Sequence, residues 1–192
     1  MTPKHTLVAL VEDRPGVLNR VASLFRRRGF NIHSLAVGPT EVDGISRMTI
    51  VVDGATTQVE QVEKQLYKLI DVVKVSDLTH DRMVARELML VKVRCNNLNR
   101  AEVVQICELF RADIVDVGES TLVIQAVGDE EKLEALLALL KPYGVREVAR
   151  TGRVAMARGL TSTSVEAEPP DIHLHHMRVG RRPERRLPYV SD

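Results

Sequence analysis

The sequence predicts an α+β chain of two tandem βαββαβ units, each a four-stranded antiparallel sheet carrying two helices on one face. Three observations lead there. Short apolar runs bounded by turn residues alternate with segments of helical apolar spacing. The order strand, helix, strand, strand, helix, strand occurs twice, at a period of about 80 residues. Hydrophobic residues make up 44% of the 192, but aromatics only 3%, with no Trp. The core must therefore be Val, Leu, Ile and Ala, which fill thin sheet-and-helix layers. The two halves are not visibly alike in sequence, so the repeat is one of architecture.

In the first unit, His5 to Glu12 reads as a strand whose alternating sets are both apolar, Leu7/Ala9/Val11 and Val8/Leu10. A strand covered on one side only alternates more cleanly. The second apolar face therefore calls for another layer, most simply a second protomer. Pro15 fits the first position of a helix, where a missing N–H costs nothing. Gly16 leaves the first free amides without a side chain over them. Val17, Val21, Leu24 and Phe25 form an apolar stripe, with Leu18 and Ala22 beside it. Asn19, Arg20, Ser23, Arg26 and Arg27 take the wet side, and Gly29 supplies the stop. Phe30 to Thr40 and Ile45 to Val52 read as antiparallel strands joined through Asp43-Gly44. Thr57 and Glu60 make a capping-box pattern for a helix carrying Val59, Val62, Leu66 and Leu69. Val72 to Leu78 closes the unit as a strand.

Thr79 to Val84 is polar and reads as a short linker. Arg86 to Cys95 is the next strand. Asn99 stands as the cap of a helix with Val103, Ile106, Cys107 and Phe110 inward. Asp113 to Val117 and Thr121 to Val127 form a hairpin. Asp129 caps a helix carrying Leu133, Leu136, Leu137 and Leu140, ended by Pro142 and Gly144. Val145 to Ala149 is the last strand, followed by an apolar-basic extension at Val154 to Arg158. From Thr161 onward Pro-rich and Arg-rich composition predicts a disordered tail. The domain reading is 4–79, 84–159 and a tail over 160–192.

No nucleophile elbow, P-loop or dinucleotide fingerprint is present, so no catalytic residue is assigned. His173, His175 and His176 read as a solvated tail segment, and no metal site is assigned. A net charge of +1 gives no nucleic-acid footprint overall. Arg181 to Arg186 lacks interleaved aromatics and reads as a basic tail. Arg26, Arg27 and Arg28 read as a solvated helix face, with an intersubunit contact as the alternative. Cys95 and Cys107 fall on apolar faces and read as buried thiols. Without a signal-peptide core or a spanning run, a cytoplasmic protein that meets no membrane is expected.

What remains is the stretch Asp13-Arg14-Pro15-Gly16-Val17-Leu18. Free amides at a helix start carry partial positive charge and can hold a carboxylate. An ordinary βα turn is the competing reading. Together with Arg28-Gly29-Phe30-Asn31-Ile32 and Ser46-Arg47-Met48-Thr49-Ile50, this stretch resembles an ACT domain, a small-molecule sensing module of amino-acid metabolism. More narrowly, with Lys64-Gln65-Leu66, Arg86-Glu87-Leu88 and the run Gly152 to Gly159, the chain resembles the small regulatory subunits of acetolactate (acetohydroxyacid) synthase over residues 4–159.

The resemblance implies tandem ferredoxin-like domains, an N-terminal ACT domain and a C-terminal ACT-like one. It implies a homodimer through the ACT domain and a large catalytic subunit as partner. Thiamine diphosphate, magnesium and FAD would sit in that partner, and no cofactor in this chain. It also implies feedback by a branched-chain amino acid, most simply valine, in a pocket shared between protomers. The turn residues Asp13, Arg14, Gly16, Val17 and Leu18 of one copy would face Asn31 and Ile32 of the other. The amides near Gly16 and Val17 would take the carboxylate, and Asp13 or the Asn31 side chain the ammonium. Val17, Leu18 and Ile32 would surround the aliphatic end. Asp13 stands where family members carry Asn, and His33 where many carry an acid. A carboxylate at 13 favours an ammonium and disfavours a second carboxylate. The second reading, an amino-acid-sensing transcription regulator or free-standing sensor, would need a DNA-reading element that the short segment before the first strand cannot supply.

Overall fold

The computed structural model describes residues 4–54, 59–159 and 161–164. The first unit runs β1 (Lys4–Glu12), α1 (Val17–Arg28), β2 (Ile32–Pro39), β3 (Ile45–Asp53), α2 (Val59–Leu66) and β4 (Val72–Asp77). The second runs β5 (Met83–Arg94), α3 (Arg100–Phe110), β6 (Asp113–Val117), β7 (Thr121–Gly128), α4 (Glu130–Gly144) and β8 (Val145–Arg150), with β9 (Val154–Ala157) after it. The sheets have strand orders β2-β3-β1-β4 and β6-β7-β5-β8. Renumbered within each unit these are the same order, so the repeat seen in the element pattern is a repeat of topology. Every pairing is antiparallel.

Each unit buries one core between its sheet and its helices. In the first, Leu7, Ala9 and Val11 of β1 and Met48, Ile50 and Val52 of β3 meet Val17, Val21, Leu24 and Phe25 of α1 and Val62 and Leu66 of α2. These are the residues whose spacing marked the two periodicities. Leu18 and Ala22, beside the stripe, are exposed. In the second, Met89, Val91, Val93, Leu122 and Ile124 meet Val103, Cys107, Leu133, Leu136 and Leu140. Cys95 and Cys107 are both buried free thiols, and burial pushes the Cys107 thiol up.

The other face of the first sheet departs from expectation. Val8 and Leu10 are 1% and 2% exposed, so the layer their apolarity called for is present. It comes from the same chain rather than from a second protomer. Val8 packs with Leu78, Ala155 and Ala157, and with Met83 and Ala85 at its margin. Residues 83–86, expected as linker and strand start, pair with β9 as a two-stranded ribbon lying on this face. The extension at 154–158 is therefore a structural strand. The docked stretch continues past the 159/160 boundary: the Arg47 guanidinium donates to the Ala155 carbonyl at 2.8 Å and to Thr163 Oγ1 at 2.7 Å. Lys74 donates to the Ser164 carbonyl at 2.9 Å. Burial disfavours the charge on Arg47, which Glu41 partly restores.

Three local details also differ. Gly16 is the N-cap of α1 at φ 90°, so Pro15 precedes the cap instead of opening the helix. Asn99 occupies the N-cap position of α3 but makes no side-chain cap; its Oδ1 accepts from the Asn96 N–H at 2.8 Å. Pro142 lies inside α4, which runs on to Gly144. Asp129 does cap α4, accepting from Lys132 N–H at 2.9 Å. Thr57 of the expected capping box, residue 160 and the rest of the expected tail at 165–192 lie outside the described residues.

The two units meet through charge as well as through the ribbon. Glu130, the first residue of α4, accepts from Lys4 of β1 and from Arg153, the latter at 2.7 Å. Burial alone would push the Glu130 carboxyl up. The Lys4 hydrogen bond and the charges of Lys4, Arg153 and His33 outweigh it and hold the carboxyl below its ordinary range. A carboxyl lowered in the folded state stabilises at neutral pH, and that contribution disappears as pH falls through the folded value. Glu130→Gln is thus expected to be less stable than wild type at neutral pH. The gap in denaturant midpoint should narrow as pH drops below the ordinary carboxyl value of 4.5. A gap of constant size across acid pH would contradict this origin.

Candidate effector site

The turn into α1 is built by the end of β1. The Glu12 N–H donates to the Asp71 carbonyl at 2.9 Å and the Asp13 N–H to the Gly44 carbonyl at 2.7 Å. This pins the strand end while the next residues turn out into solvent. Asp13, Arg14, Pro15 and Gly16 are all exposed. Arg14 reaches back to Glu12 at 3.1 Å.

Gly16 has a left-handed backbone that few other residues adopt without strain. Without a side chain it caps nothing. The Val17 N–H is spent on the Arg14 carbonyl at 3.3 Å. The amides of Leu18 and Asn19 donate to no group among the described residues. The Gly16 N–H likewise has no partner among them, so of the amides near Gly16 and Val17 only that of Val17 is spent. Two outward N–H groups at the positive end of a helix macrodipole suit a carboxylate. Val17 turns its side chain into the core at 3% exposed, whereas Leu18 is 46% exposed. Leu18 is the apolar group that the turn itself presents.

Two residues beside the turn carry no local sequence signal. Asp71 is 4% exposed and pairs through Oδ2 with Arg20 Nε at 3.1 Å. Arg20, placed by helical spacing on the wet side, lies over the turn: a Cβ on Gly16 would sit 3.9 Å from its Nη2. The pair joins α1 to the start of β4 through residues far apart in sequence, which no i,i+4 pattern reveals. It adds a guanidinium to the positive end of the helix.

Asn31 and Ile32 lie at the other end of α1. The Asn31 carbonyl accepts from the Asp53 N–H at 3.3 Å, and its side chain is exposed. Ile32 pairs with Val52 and is half-buried against the first core. A 12-residue helix is about 18 Å long. One chain therefore separates the Gly16 turn from Asn31, and each alone is an open surface. A receptor made from both requires a second copy of the chain.

Among the described residues no group of His, Cys, Asp and Glu could hold a metal ion. No helix among them is long and apolar enough to cross a membrane.

Residues 7–74 match the family of ACT domains like that of the acetohydroxyacid synthase (AHAS) small subunit, and residues 86–159 match the small subunit of acetolactate synthase. The chain is 55% identical over 158 residues to the acetolactate synthase small subunit of Mycolicibacterium smegmatis, covering 82% of this chain and 93% of that one. It is 55% identical over 156 residues to a probable acetolactate synthase small subunit of Archaeoglobus fulgidus, covering 81% and 98%. The crystal structure of the Thermotoga maritima acetolactate synthase small subunit superposes with a TM-score of 0.75 at 44% identity, over 82% of this chain and 99% of that one. The two family matches fall one on each βαββαβ unit, and the chain belongs to the acetolactate synthase small subunit family.

Proposed function

We propose that this chain is the regulatory subunit of acetolactate synthase, without chemistry of its own, and that valine binds it between two protomers. The observation that carries the effector reading is the exposed, uncapped start of α1 at Gly16, with the amides of Leu18 and Asn19 unspent. Asp13 and Asn31 offer oxygens to the ammonium, and Leu18 and Ile32 offer apolar surface to the isopropyl group. Arg14 closes the charged side of the turn.

The catalytic partner would carry magnesium, FAD and thiamine diphosphate, the last of which would supply the carbanion chemistry that joins two pyruvates to 2-acetolactate with loss of carbon dioxide. The same enzyme would join pyruvate to 2-oxobutyrate on the isoleucine branch. The chain's part is thermodynamic. Valine inhibits only if it binds the inhibited arrangement of the complex more tightly than the active one. A ligand held by two protomers biases their relative placement, which is the differential contact this requires.

Adding the chain to its catalytic subunit is expected to raise the rate of acetolactate formation and make that rate fall with added valine. An unchanged rate, with and without valine, would contradict the regulatory reading.

A further inference from the structure

We propose that the joint made by Glu130, Gly152 and Arg153 against β1 and β2 carries effector occupancy at Asn31–Ile32 to the C-terminal unit. This rests on the effector reading above and names the route by which that site regulates.

The route begins one residue after Ile32. The pairing of β2 with β3 shifts between Ile32 and Ser34, so His33 sits at a bulge. A bulge bends its strand and re-aims the extra side chain. Here it brings His33 Nε2 within 2.8 Å of Lys4 Nζ and 3.8 Å of Glu130 Oε1. The next residue, Ser34, accepts through Oγ from the Arg153 N–H at 2.8 Å. Arg153 then spans both units: Nη1 donates to Thr6 Oγ1 on β1 at 3.1 Å and Nη2 to Glu130 Oε2 at 2.7 Å.

Gly152 makes this approach possible. Its φ is +85°, and a Cβ there would lie 2.9 Å from Ser34 Oγ and 3.0 Å from the Leu35 carbonyl oxygen. On the far side, Glu130 opens α4, whose Leu133, Leu136 and Leu140 are buried in the second core. Through Glu130 the joint is thus attached to the first turn of that helix. Beside the joint lies a cleft of about 370 Å³, between His33, Ser34 and Leu35 on one side and Glu87, Arg150 and Thr151 on the other. The contacts here are polar and border open space, so they can exchange partners without opening either core. A ligand that draws Asn31–Ile32 toward a neighbouring protomer pulls on the bulge. The bulge holds both ends of the Lys4–Glu130–Arg153 cluster.

The test uses the full chain with its catalytic subunit and two variants, Glu130→Gln and Gly152→Ala. The first removes a charge at constant volume, and the second pushes the 152 loop off β2. Calorimetry gives valine binding to the chain alone, and acetolactate formation gives stimulation and valine inhibition. Binding within about threefold of wild type and retained stimulation are expected, with half-inhibition shifted upward by about tenfold or more. Inhibition identical to wild type in Glu130→Gln overturns the route, as does loss of valine binding itself, which would place these residues in the receptor. Should Gly152→Ala not fold, Glu130→Gln decides alone. Failure of the wild-type chain to bind valine refutes the underlying effector reading instead, a result the wild-type titration separates from the others.

Discussion

Gly16→Asp is expected to weaken valine binding by about a hundredfold or more and to leave acetolactate synthesis insensitive to valine. Asp is a favoured helix cap, and its carboxylate would accept from the amides that Gly16 leaves unspent. The variant chain would thus supply internally the anion that the effector otherwise brings. Hydrogen bonds to a charged partner contribute about 1.5–3 kcal/mol each. Losing two of them and adding a like charge beside a carboxylate exceeds the roughly 2.8 kcal/mol that a hundredfold represents. The left-handed backbone at φ 90° makes the substitution strained by about 1–2 kcal/mol, which the new cap partly offsets. Stability should therefore change little while binding is lost. Calorimetric titration with valine, alongside a thermal melt, separates the two. Binding within a few-fold of wild type would remove the turn from the receptor.

Phe25→Ala is expected to destabilise the chain by about 3–5 kcal/mol, a large part of the roughly 5–15 kcal/mol available to a domain. Phe25 is 1% exposed and packs edge-on to Phe30, ring centroids 5.9 Å apart at 76°. Phe30, the neighbouring ring, is already packed against the same core, so it fills the gap only by leaving its own place. The residue lies near the C-terminal end of α1, beside the entry to β2. Its loss should therefore loosen both the helix that presents the turn and the strand that presents Asn31. A fall in melting temperature of about 10 °C or more is expected. Leu18→Ala, at an exposed position of the same helix, should leave stability nearly unchanged while weakening valine binding. A loss below about 1 kcal/mol for Phe25→Ala would mean that this core repacks more freely than its burial implies.

The parts of the fold legible in the sequence are those encoded over a few residues. The stripe Val17, Val21, Leu24 and Phe25, the alternation of Met48, Ile50 and Val52 and the stop at Gly29 each rest on one periodicity or one backbone requirement. The tandem order follows from adding them. What was not legible depends on contacts between distant residues. The apolar set Val8/Leu10 announced a covering layer but not its origin, because Ala155 and Ala157 are too small to stand out as core. Residues 161–164 read as tail because their composition is polar, yet Thr163 is buried and accepts a hydrogen bond from Arg47.

At the candidate site the glycine turn, Leu18 and Asn31 were singled out from sequence, and the fold leaves all three exposed. Pro15 was placed one step too far into the helix, because a left-handed cap at Gly16 and a proline first turn leave the same mark in sequence. Val17 was counted as ligand surface when its stripe position already committed it to the core. Arg20, Asp71, Glu130 and Arg153 were missed as a class. Each is an ordinary charged residue until the fold brings its partner from another element.

The claim that two copies of the chain build one receptor is tested most directly by hybrid dimers of Gly16→Asp with Asn31→Ala. In the hybrid, the Asn31→Ala copy supplies an intact turn and the Gly16→Asp copy an intact Asn31, so one of the two shared sites is whole. Each homodimer should bind valine poorly, and the mixed dimer should regain one site per dimer with near-wild-type affinity in calorimetry. A mixed dimer that binds no better than its parents would place each receptor within a single chain and contradict the account.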